Sequence, residues 1–353
     1  MFSLTDKTLY VAELDLWIDS MKSRNRSYVS HGHSDHARVH ERVITSTNNA
    51  RVCRLRFGLR TERKRERLVS AGGAALIPED RACEFEEHAF NEPWRLGAHE
   101  LTLFSAGHVL GSAQLLIEGE RGRFVYTGDF KLERSFTAEA PEVKRCDVVL
   151  MECTYGRPQF VFPPRAEIAG QMVAWARKAL EDDVAPIFFA YSLGKAQEAL
   201  AILGAAGLPL TTHGAIHSMA RVYDEAGVAM PPHDKYDANV YDGTSVLLWP
   251  PSGRALPKAV RHRKVRTASL TGWTLGRTPS ADGSRPAGGG RFGVDAGFPL
   301  SDHADFPSLL KYIELAQPRK VLLNHGYKDF THRLRRMGID AEFLEANPQL
   351  ALF

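Results

Sequence analysis

Three imidazoles and one carboxylate lie within the six residues His31-Gly32-His33-Ser34-Asp35-His36. A short β-branched and aromatic run precedes them and predicts a strand, at whose end alternate side chains point the same way. His31 and His33 could therefore share one metal ion. Asp35 and His36 follow where the backbone is expected to turn into a helix, and they could reach a second metal about 3.5–4 Å away. Solvated loop histidines are the alternative, but nothing structural calls for three of them around an aspartate.

The composition of the whole chain is that of an ordinary globular protein. It has 353 residues, of which 44% are hydrophobic and 25% are charged, and its formal net charge of +3 is too small to indicate a polyanionic partner. The four cysteines form no CxxC pair and are expected to be free thiols in a reducing compartment. No signal peptide and no run of roughly 18 apolar residues is evident, so we expect a cytoplasmic protein without a membrane segment.

Two further ligand-type residues follow apolar strands in the first half of the chain. Residues 101–130 predict a strand meander, in which His108 and Asp129 each lie where a strand gives way to a glycine-containing loop. His108 is the natural third nitrogen ligand, and Asp129 is the carboxylate that could bridge two metals. A lone histidine is more often a core residue, so the combination carries this hypothesis. Asp19, just before the motif, is either a surface turn residue or a group that orients a ligand histidine.

The second half of the chain repeats the pattern of a strand followed by polar residues. The buried strand 147–151 ends at Glu152, and the strand 187–190 precedes Tyr191-Ser192-Leu193-Gly194-Lys195. Ser192 is a good N-cap, so a plain strand-to-helix turn is one interpretation. The functional interpretation adds a substrate phosphate at this helix start, bound by Ser192, Gly194 and Lys195. Residues 164–181 predict a helix with an apolar core stripe.

Near the end of the chain, His303 lies at a strand-to-helix junction and His325 closes a β run before a glycine. Both residues stand at the carboxyl end of a strand, where open α/β proteins keep their active sites. Basic residues cluster at 51–67 and 254–266, which predicts either solvated surfaces or contacts to a polyanion. Residues 278–290 are rich in glycine, proline, serine and alanine and predict a mobile loop.

Taken together, these motifs resemble those of the metallo-β-lactamase fold and, within it, the β-CASP branch of nucleic-acid-processing enzymes. The β-lactamase elements are HGHSDH, Gly107-His108, Gly128-Asp129 and His325-Gly326, and the β-CASP elements include Glu152-Cys-Thr-Tyr-Gly and Ser-Asp-His303-Ala-Asp. The chain is most similar to the bacterial exonucleases associated with DNA ligase and helicase, which resemble mRNA 3′-end processing factors. This resemblance implies an α/β protein with an αββα sandwich (residues 1–185 and 293–353) and an inserted β-CASP-like cap (residues 186–292).

The resemblance also implies a site with two divalent ions. Zn²⁺ suits the histidine-rich ligands, with Mn²⁺ as the alternative. The implied ligands are His31, His33 and His108 for the first ion, and Asp35, His36 and His325 for the second, with Asp129 bridging. Asp35 and Asp129 thus count among the catalytic residues. His303 would protonate the leaving oxygen, and Glu152 would hold the other nitrogen of its ring.

The function implied is a nuclease acting on single-stranded nucleic acid, most closely a DNA exonuclease in DNA repair. An ATP-dependent DNA ligase and a helicase are the partners that the resemblance suggests, and the two basic clusters would follow the backbone of the strand. Three alternatives stay open. These are an RNA-processing ribonuclease of the same branch, a small-molecule metallo-hydrolase, and a non-catalytic scaffold that binds nucleic acid.

Overall fold

The computed structural model describes residues 2–5, 8–58, 83–251, 260, 263–275 and 293–344. The chain divides into two compact units: the first is Met1–Arg134, Glu139–Gly156 and Ser308–Phe353, and the second is Ser135–Ala138 and Arg157–Pro307. The second unit contains the whole segment 186–292 that we predict to be the cap, and the predicted domain boundaries stay a prediction. The predicted mobile loop at 278–290 lies outside the described residues, as do parts of both basic clusters.

One sheet of the first unit has the strand order β1-β2-β3-β4-β5-β6. The strands are β1 (Phe2–Thr5), β2 (Thr8–Val11), β3 (Leu16–Ile18), β4 (Arg26–Tyr28), β5 (Arg42–Ser46) and β6 (Glu84–His88). β1, β2 and β3 pair antiparallel, whereas β3 to β6 pair parallel. Helix α1 (Thr47–Arg56) follows β5 directly, and it begins where the Ser46 hydroxyl accepts the N–H of Asn49.

The other sheet of the first unit has the order β19-β18-β11-β10-β9-β8-β7. Its strands are β7 (Trp94–Leu96), β8 (His99–Ser105), β9 (Ala113–Gly119), β10 (Gly122–Tyr126), β11 (Val148–Cys153), β18 (Lys320–Gly326) and β19 (Ala341–Phe343). The predicted meander is confirmed, because β8, β9 and β10 pair antiparallel in sequence. β10, β11, β18 and β19 pair parallel, which buries β11 inside the sheet.

The two sheets pack face to face through one apolar core. Ile44 in β5 faces this core, whereas its neighbour Val43 faces the opposite side and packs near Cys53 of α1. This alternation is the period-two pattern of a strand buried on both faces. The Tyr28 hydroxyl donates to the carbonyl of Ala113, at 2.7 Å, and so joins the two sheets at their centre. The predicted sandwich is thereby confirmed.

Two further helices follow the second unit's last strand in sequence and cover the second sheet. They are α5 (Phe306–Ala316) and α6 (Asp329–Arg336), and the helices α2 to α4 belong to the second unit. Tyr312 of α5 is buried, and its hydroxyl donates to the side-chain oxygen of Gln114 in β9, at 2.5 Å. Phe330 and Leu334 of α6 are also buried, so each helix contributes an apolar face to the unit.

The second unit is built on a parallel sheet with the order β14-β13-β15-β12-β16-β17. Its strands are β12 (Ala185–Phe189), β13 (Leu210–Thr212), β14 (Asp234–Lys235), β15 (Val246–Trp249), β16 (Val265–Leu270) and β17 (Ala296–Phe298), and its helices are α2 (Arg165–Glu181), α3 (Lys195–Ala205) and α4 (Gly214–Glu225). The helix predicted over 164–181 is confirmed as α2. Of the predicted stripe Ile168, Met172, Trp175 and Ala179, three residues are buried, and Trp175 is half-buried but packs against the same core.

No described helix combines the length and the apolar character that crossing a bilayer requires. The four cysteines all lie among the described residues, and each is a free thiol. Burial raises the pKa of the Cys53 thiol above its ordinary range, and it raises those of Cys146 and Cys153 to about 12. These thiols are therefore protonated and unreactive at neutral pH.

Candidate metal centre

Four strands of the second sheet deliver ligand-type side chains to one edge. β8 and β10 both run antiparallel to β9, and β11 and β18 run parallel to β10, so all four point the same way. His108 and Asp129 follow the carboxyl ends of β8 and β10, whereas Glu152 and His325 lie within the last residues of β11 and β18. The topology thus gathers residues that are up to 217 positions apart, between His108 and His325.

The HGHSDH stretch reaches this edge from the first sheet. It follows β4 through Val29 and Ser30 and then forms one tight turn, in which the N–H groups of His36 and Ala37 both donate to the carbonyl of His33. The prediction of a helix at this point is wrong, because residues 31–40 contain only bends, turns and irregular backbone. The chain leaves the turn at once, because it must return to pair Glu41 N–H with the carbonyl of Arg24 before β5 begins.

Three imidazoles and one carboxylate form the first group of ligand atoms. His31, His33, His108 and Asp129 each offer one atom, and these atoms lie within 4.8 Å of one another. The Asp129 carboxylate is 3.5 Å from Nε2 of His31 and 3.9 Å from Nε2 of His108, and the latter atom is 3.0 Å from Nδ1 of His33. Ligands at about 2.0–2.1 Å from a tetrahedral Zn²⁺ lie roughly 3.3 Å apart. The residues present therefore fit a zinc ion.

A second group shares the same carboxylate oxygen. Oδ2 of Asp129 is 3.5 Å from Nε2 of His36, which equals its distance from Nε2 of His31. The His36 and His325 rings are 5.2 Å apart between centroids. Asp129 thus lies between two sets of histidines, which is the position of a bridging ligand in a two-metal site.

The second group is more exposed than the first. In the first group His31, His108 and Asp129 are buried and His33 is half-buried, whereas in the second His36 is buried but Asp35 and His325 are exposed. Partial burial acts to raise the pKa of Asp35, but positive charge on His36, with smaller effects of His33 and His325, holds this pKa below its ordinary value. Asp35 is therefore ionised at neutral pH, as a metal ligand must be.

Asp19 holds His36 in place. Its carboxylate is 2.7 Å from Nδ1 of His36, and it accepts hydrogen bonds from the Ser30 N–H at 2.7 Å and from the Tyr126 hydroxyl at 2.8 Å. Burial alone would lower the pKa of His36, but the carboxylates of Asp129 and Asp19 raise it to about 10. Of the two interpretations of Asp19, the structure favours the orienting one. A carboxylate on Nδ1 leaves Nε2 to face the metal position.

Asp19→Asn should therefore weaken metal binding without unfolding the protein. The substitution keeps the shape of the side chain but removes the negative charge that orients His36, so we expect metal affinity to fall about 10- to 100-fold. Competition with a zinc-binding dye measures this affinity for each ion. Tyr126→Phe, which removes one hydrogen bond to Asp19, should have a smaller effect. Unchanged affinity for both ions in Asp19→Asn would contradict the orienting role.

A bulge in β18 sets the direction of His325. Pairing between β11 and β18 passes from Glu152 opposite Asn324 to Cys153 opposite Gly326, so His325 is the extra residue, with φ at +47°. Gly326 follows with φ at +145°, and a Cβ there would lie 2.0 Å from the carbonyl oxygen of Cys153. Glycine is required because β18 meets the backbone of β11 closely at this point.

Gly326→Ala should therefore be strongly destabilising. We expect the free energy of unfolding to fall by more than about 2 kcal/mol, since the methyl group must displace a strand backbone. The midpoint of urea unfolding measures this loss. Gly338→Ala is a matched control, because Gly338 also has positive φ, +81°, but open space around its Cβ position. Equal losses in the two variants would show that the close approach at Gly326 is unimportant.

Glu152 is buried beside the first group. One of its carboxylate oxygens accepts the N–H of Phe130 at 3.0 Å, and the other accepts the hydroxyl of Thr154. It offers an oxygen within 4.8 Å of a carboxylate oxygen of Asp129. Two fixed carboxylates at this distance create a strongly negative pocket, which suits a cation or a positively charged imidazole.

The remaining predicted site residues lie in the second unit. α3 begins at Lys195 with Gly194 as its N-cap at φ +83°, so Ser192 is not the N-cap, and that expectation is wrong. The side chain of Gln197 accepts the N–H of Gly194 and donates to the carbonyl of Ser192, which closes the turn without the serine hydroxyl. His303 lies after β17, where its N–H donates to the Ser301 hydroxyl.

Lys195 is held inside the second unit. Its ammonium donates to the carboxylate of Asp302 at 2.6 Å, and both side chains are only 6% exposed. The ion pair links the start of α3 to the residue just before His303, so it fixes the loop that carries this histidine. The substrate-binding roles of Ser192, Gly194 and Lys195 stay predictions.

Three hydroxyl residues that position the carboxylates were missed by the sequence analysis. Ser30 binds Asp19 and also approaches Nδ1 of His31 at 3.0 Å, Tyr126 binds Asp19, and Thr154 binds Glu152. Only Ser30 carried a usable signal, since it directly precedes the histidine-rich stretch. The partners of Tyr126 and Thr154 depend on which strand ends meet.

The family model described as "Zn-dependent metallo-hydrolase RNA specificity domain" matches residues 297–343. A "Probable DNA ligase" of Opitutus terrae is 36% identical over 98% of this chain and 31% of its own length. An "RNase J-like protein" of Methanocaldococcus jannaschii is 23% identical over 63% of this chain and 62% of its own length.

This chain belongs to the β-CASP metallo-β-lactamase family. The family model and the Opitutus relative confirm the resemblance inferred from the sequence motifs. Members of this family are zinc-dependent metallo-hydrolases. A crystal structure of a protein of unknown function from Enterococcus faecalis shares the fold, with a TM-score of 0.58 and 15% identity over 91% of this chain and 79% of that one. The β-CASP chain described here spans about a third of the length of the Opitutus relative and under two thirds of the Methanocaldococcus one.

Proposed function

We propose that this protein is a two-metal phosphodiesterase that cleaves single-stranded nucleic acid. The observation that carries the proposal is the position of Asp129, whose carboxylate oxygen is equally far from His31 and His36 at 3.5 Å. Asp129 would bridge two ions, of which Zn²⁺ is the expected metal and Mn²⁺ the alternative. The ligands of the first ion would be His31, His33 and His108, and those of the second Asp35, His36 and His325.

The residues of the chain have separate tasks in this reaction. When bound, the two ions act as Lewis acids and lower the pKa of a water molecule to about 7. In the hydrolysis itself a water oxygen forms a bond to phosphorus and releases its proton to solvent, and the P–O bond to the neighbouring nucleotide breaks. His303 gives the departing oxygen its proton, and Glu152 holds the other ring nitrogen so that the ring has the correct tautomer. Asp19 keeps His36 correctly turned throughout.

We infer that the substrate is single-stranded DNA and that cleavage is exonucleolytic, in DNA repair. The support is the Opitutus relative named a probable DNA ligase, because nearly the whole of this chain aligns with about a third of that protein. A DNA ligase is accordingly the partner we propose, and the sequence resemblance adds that it is ATP-dependent and accompanied by a helicase. A nuclease that trims single-stranded ends would supply a ligase with ends that it can join.

RNA is the second candidate substrate. Residues 297–343 match a family described by its RNA specificity, and the Methanocaldococcus relative is named as similar to an RNase. Phosphate contacts dominate affinity for both polymers, so contacts to the 2′-hydroxyl would have to distinguish them. The substrate is therefore decided by cleavage rather than by binding.

The described parts of the two basic clusters give only modest support. Arg54 of α1 pairs with Glu87 and lies over the Phe85 ring, and Arg266 pairs with Asp182 at 3.3 Å. These cations already have acidic partners. Contacts of the clusters to a nucleic-acid backbone stay a prediction.

Digestion of matched DNA and RNA tests the proposal. Chelator-stripped protein receives Zn²⁺ or Mn²⁺ and then 5′-labelled single strands of one sequence. We expect a ladder of DNA products, with RNA spared, and the label gives the direction of cleavage. His108→Ala should lose at least about 100-fold in rate, since it removes a ligand. His332→Ala, an exposed histidine on α6, is the matched control and should retain full activity.

Three other outcomes would assign a different function to the protein. Preferential RNA cleavage would make it a ribonuclease of the same family. Two bound metals without cleavage of either polymer would indicate a small-molecule metallo-hydrolase. Binding of nucleic acid without metal or cleavage would indicate a scaffold.

A further inference from the structure

We propose that the carboxyl edge of the parallel sheet in the second unit is a stacking platform for unpaired nucleobases, built from Tyr191, Trp249 and Trp273. The inference rests on the proposed function and adds a way to hold the bases of the strand as well as its phosphates. It concerns residues of the second unit alone.

The sheet topology places these aromatic residues at neighbouring strand ends. Since all six described strands of this sheet are parallel, their carboxyl ends share one edge. Across this edge, in strand order, lie Lys235 (β14), His213 (β13), Trp249 (β15), Tyr191 (β12), Trp273 (β16) and His303 (β17). Three large aromatic residues therefore occupy three successive strand ends, and the row finishes at the histidine proposed to protonate the leaving oxygen.

Two of the three rings are exposed to solvent. Tyr191 is 56% exposed and Trp273 is 39% exposed, and they are among the few large exposed hydrophobic residues in the described part of the chain. Single exposed apolar residues are common on any protein. Two of them at adjacent strand ends, beside the half-buried Trp249 and on the edge where parallel sheets bind ligands, indicate a binding surface.

Each of the three rings contacts a neighbouring side chain. Trp249 makes edge-to-face contacts with His213 and Tyr236, at 4.5 and 5.1 Å between centroids, and Trp273 makes one with Phe160, at 5.3 Å. The ammonium of Lys195 lies 5.3 Å from the centre of the Tyr191 ring. Rigid rings lose little entropy on binding, which favours them as stacking partners.

Positive charge around the three rings suits the phosphates of a nucleic-acid strand. α3 and α4 both begin at this edge, after Gly194 and His213, so their positive N-terminal dipoles face the ligand side. Lys235 at the far end of the row is exposed. With strands about 4.8 Å apart, the three aromatic residues span roughly 10 Å, which at about 3.4 Å for each stacked nucleotide is the length of about three bases. The whole row of strand ends is roughly 24 Å long and leaves room for the flanking nucleotides of a single strand.

The test compares base-bearing and abasic strands on the whole protein. Metal-free protein is titrated into a fluorescein-labelled eight-nucleotide oligothymidylate, or into an oligomer of the same length that keeps the sugar-phosphate backbone but has no bases. Fluorescence anisotropy reports the affinity without cleavage. We expect wild-type protein to bind the base-bearing strand more tightly. Tyr191→Leu and Trp273→Leu should each lower that affinity about 5- to 100-fold and leave abasic binding unchanged.

A tryptophan outside the row supplies the control. Trp94 lies on the edge strand β7 of the first unit and stacks on His88 at 3.7 Å, so Trp94→Leu removes the same ring without touching the platform. It should bind both oligomers as wild type does. Leucine at 191 and 273 preserves apolar contact, and circular dichroism confirms that each variant is folded.

The outcomes separate the platform from the proposed function. If wild-type protein cleaves single strands but the platform variants bind both oligomers normally, the platform is refuted and the nuclease proposal stands. If the variants lose base-dependent binding while wild-type protein, supplied with metal, cleaves nothing, the platform stands and the nuclease proposal fails. Equal binding of base-bearing and abasic strands by wild-type protein refutes the platform in either case.

Discussion

Asp129→Ala is expected to lose metal and phosphodiesterase activity together. The carboxylate lies between two histidine groups, at 3.5 Å from Nε2 of His31 and of His36, so its removal takes one ligand from each ion. It also leaves a cluster of buried imidazoles without its central negative charge. We expect a loss of at least about 100-fold in kcat/KM, since removing even a supporting partner of a ligand costs about 10- to 100-fold. Metal content by mass spectrometry and cleavage of labelled strands are the two measurements.

A bridging role predicts the loss of both ions, whereas a role as ligand to one ion predicts the loss of one. A residue that held one ion only would leave the other in place, with a stoichiometry of one metal per chain. Asp129→Asn keeps the side-chain volume and separates loss of charge from loss of packing. Near-normal turnover in Asp129→Ala, or a single tightly retained ion, would refute bridging.

His303→Ala is expected to keep its metals and lose most of its activity. The residue is proposed as a proton donor and not as a ligand, so metal content should equal that of wild type. General acid catalysis contributes about 10²- to 10⁴-fold, and the rate on nucleic acid should fall by that amount. Cleavage rates and metal analysis on the same preparation give the two readings.

A substrate that needs no proton distinguishes this role from a structural one. Bis(p-nitrophenyl) phosphate releases a leaving group that is stable as an anion, so His303→Ala should hydrolyse it nearly as fast as wild type. Asp302→Asn breaks the ion pair with Lys195 that fixes this loop, and it should slow hydrolysis of nucleic acid without a loss of metal. Loss of both metals from His303→Ala would make His303 a ligand and overturn the assignment.

Local sequence patterns predicted the elements of this protein well. Alternation of apolar residues identified the meander of β8 to β10, and the helical stripe of Ile168, Met172 and Ala179 identified α2. These patterns succeed because burial on one face repeats every two residues in a strand and about every 3.6 in a helix. They failed at the turn after His33 and at the start of α3, where backbone pairing partners distant in sequence, or a positive φ at Gly194, decided the conformation.

The sequence by itself determined which residues can bind metal, because imidazole nitrogens and carboxylate oxygens are metal ligands in any fold and these residues follow apolar strands. It could not determine that Asp19 turns His36, that Asp129 lies between two histidine groups, or that a bulge directs His325. Nor could it show that Lys195 forms a buried ion pair with Asp302, or that Tyr191, Trp249 and Trp273 share one sheet edge. These facts follow from strand order and register. Both are set by pairings between residues far apart in the chain, so only the tertiary structure decides which strand ends meet.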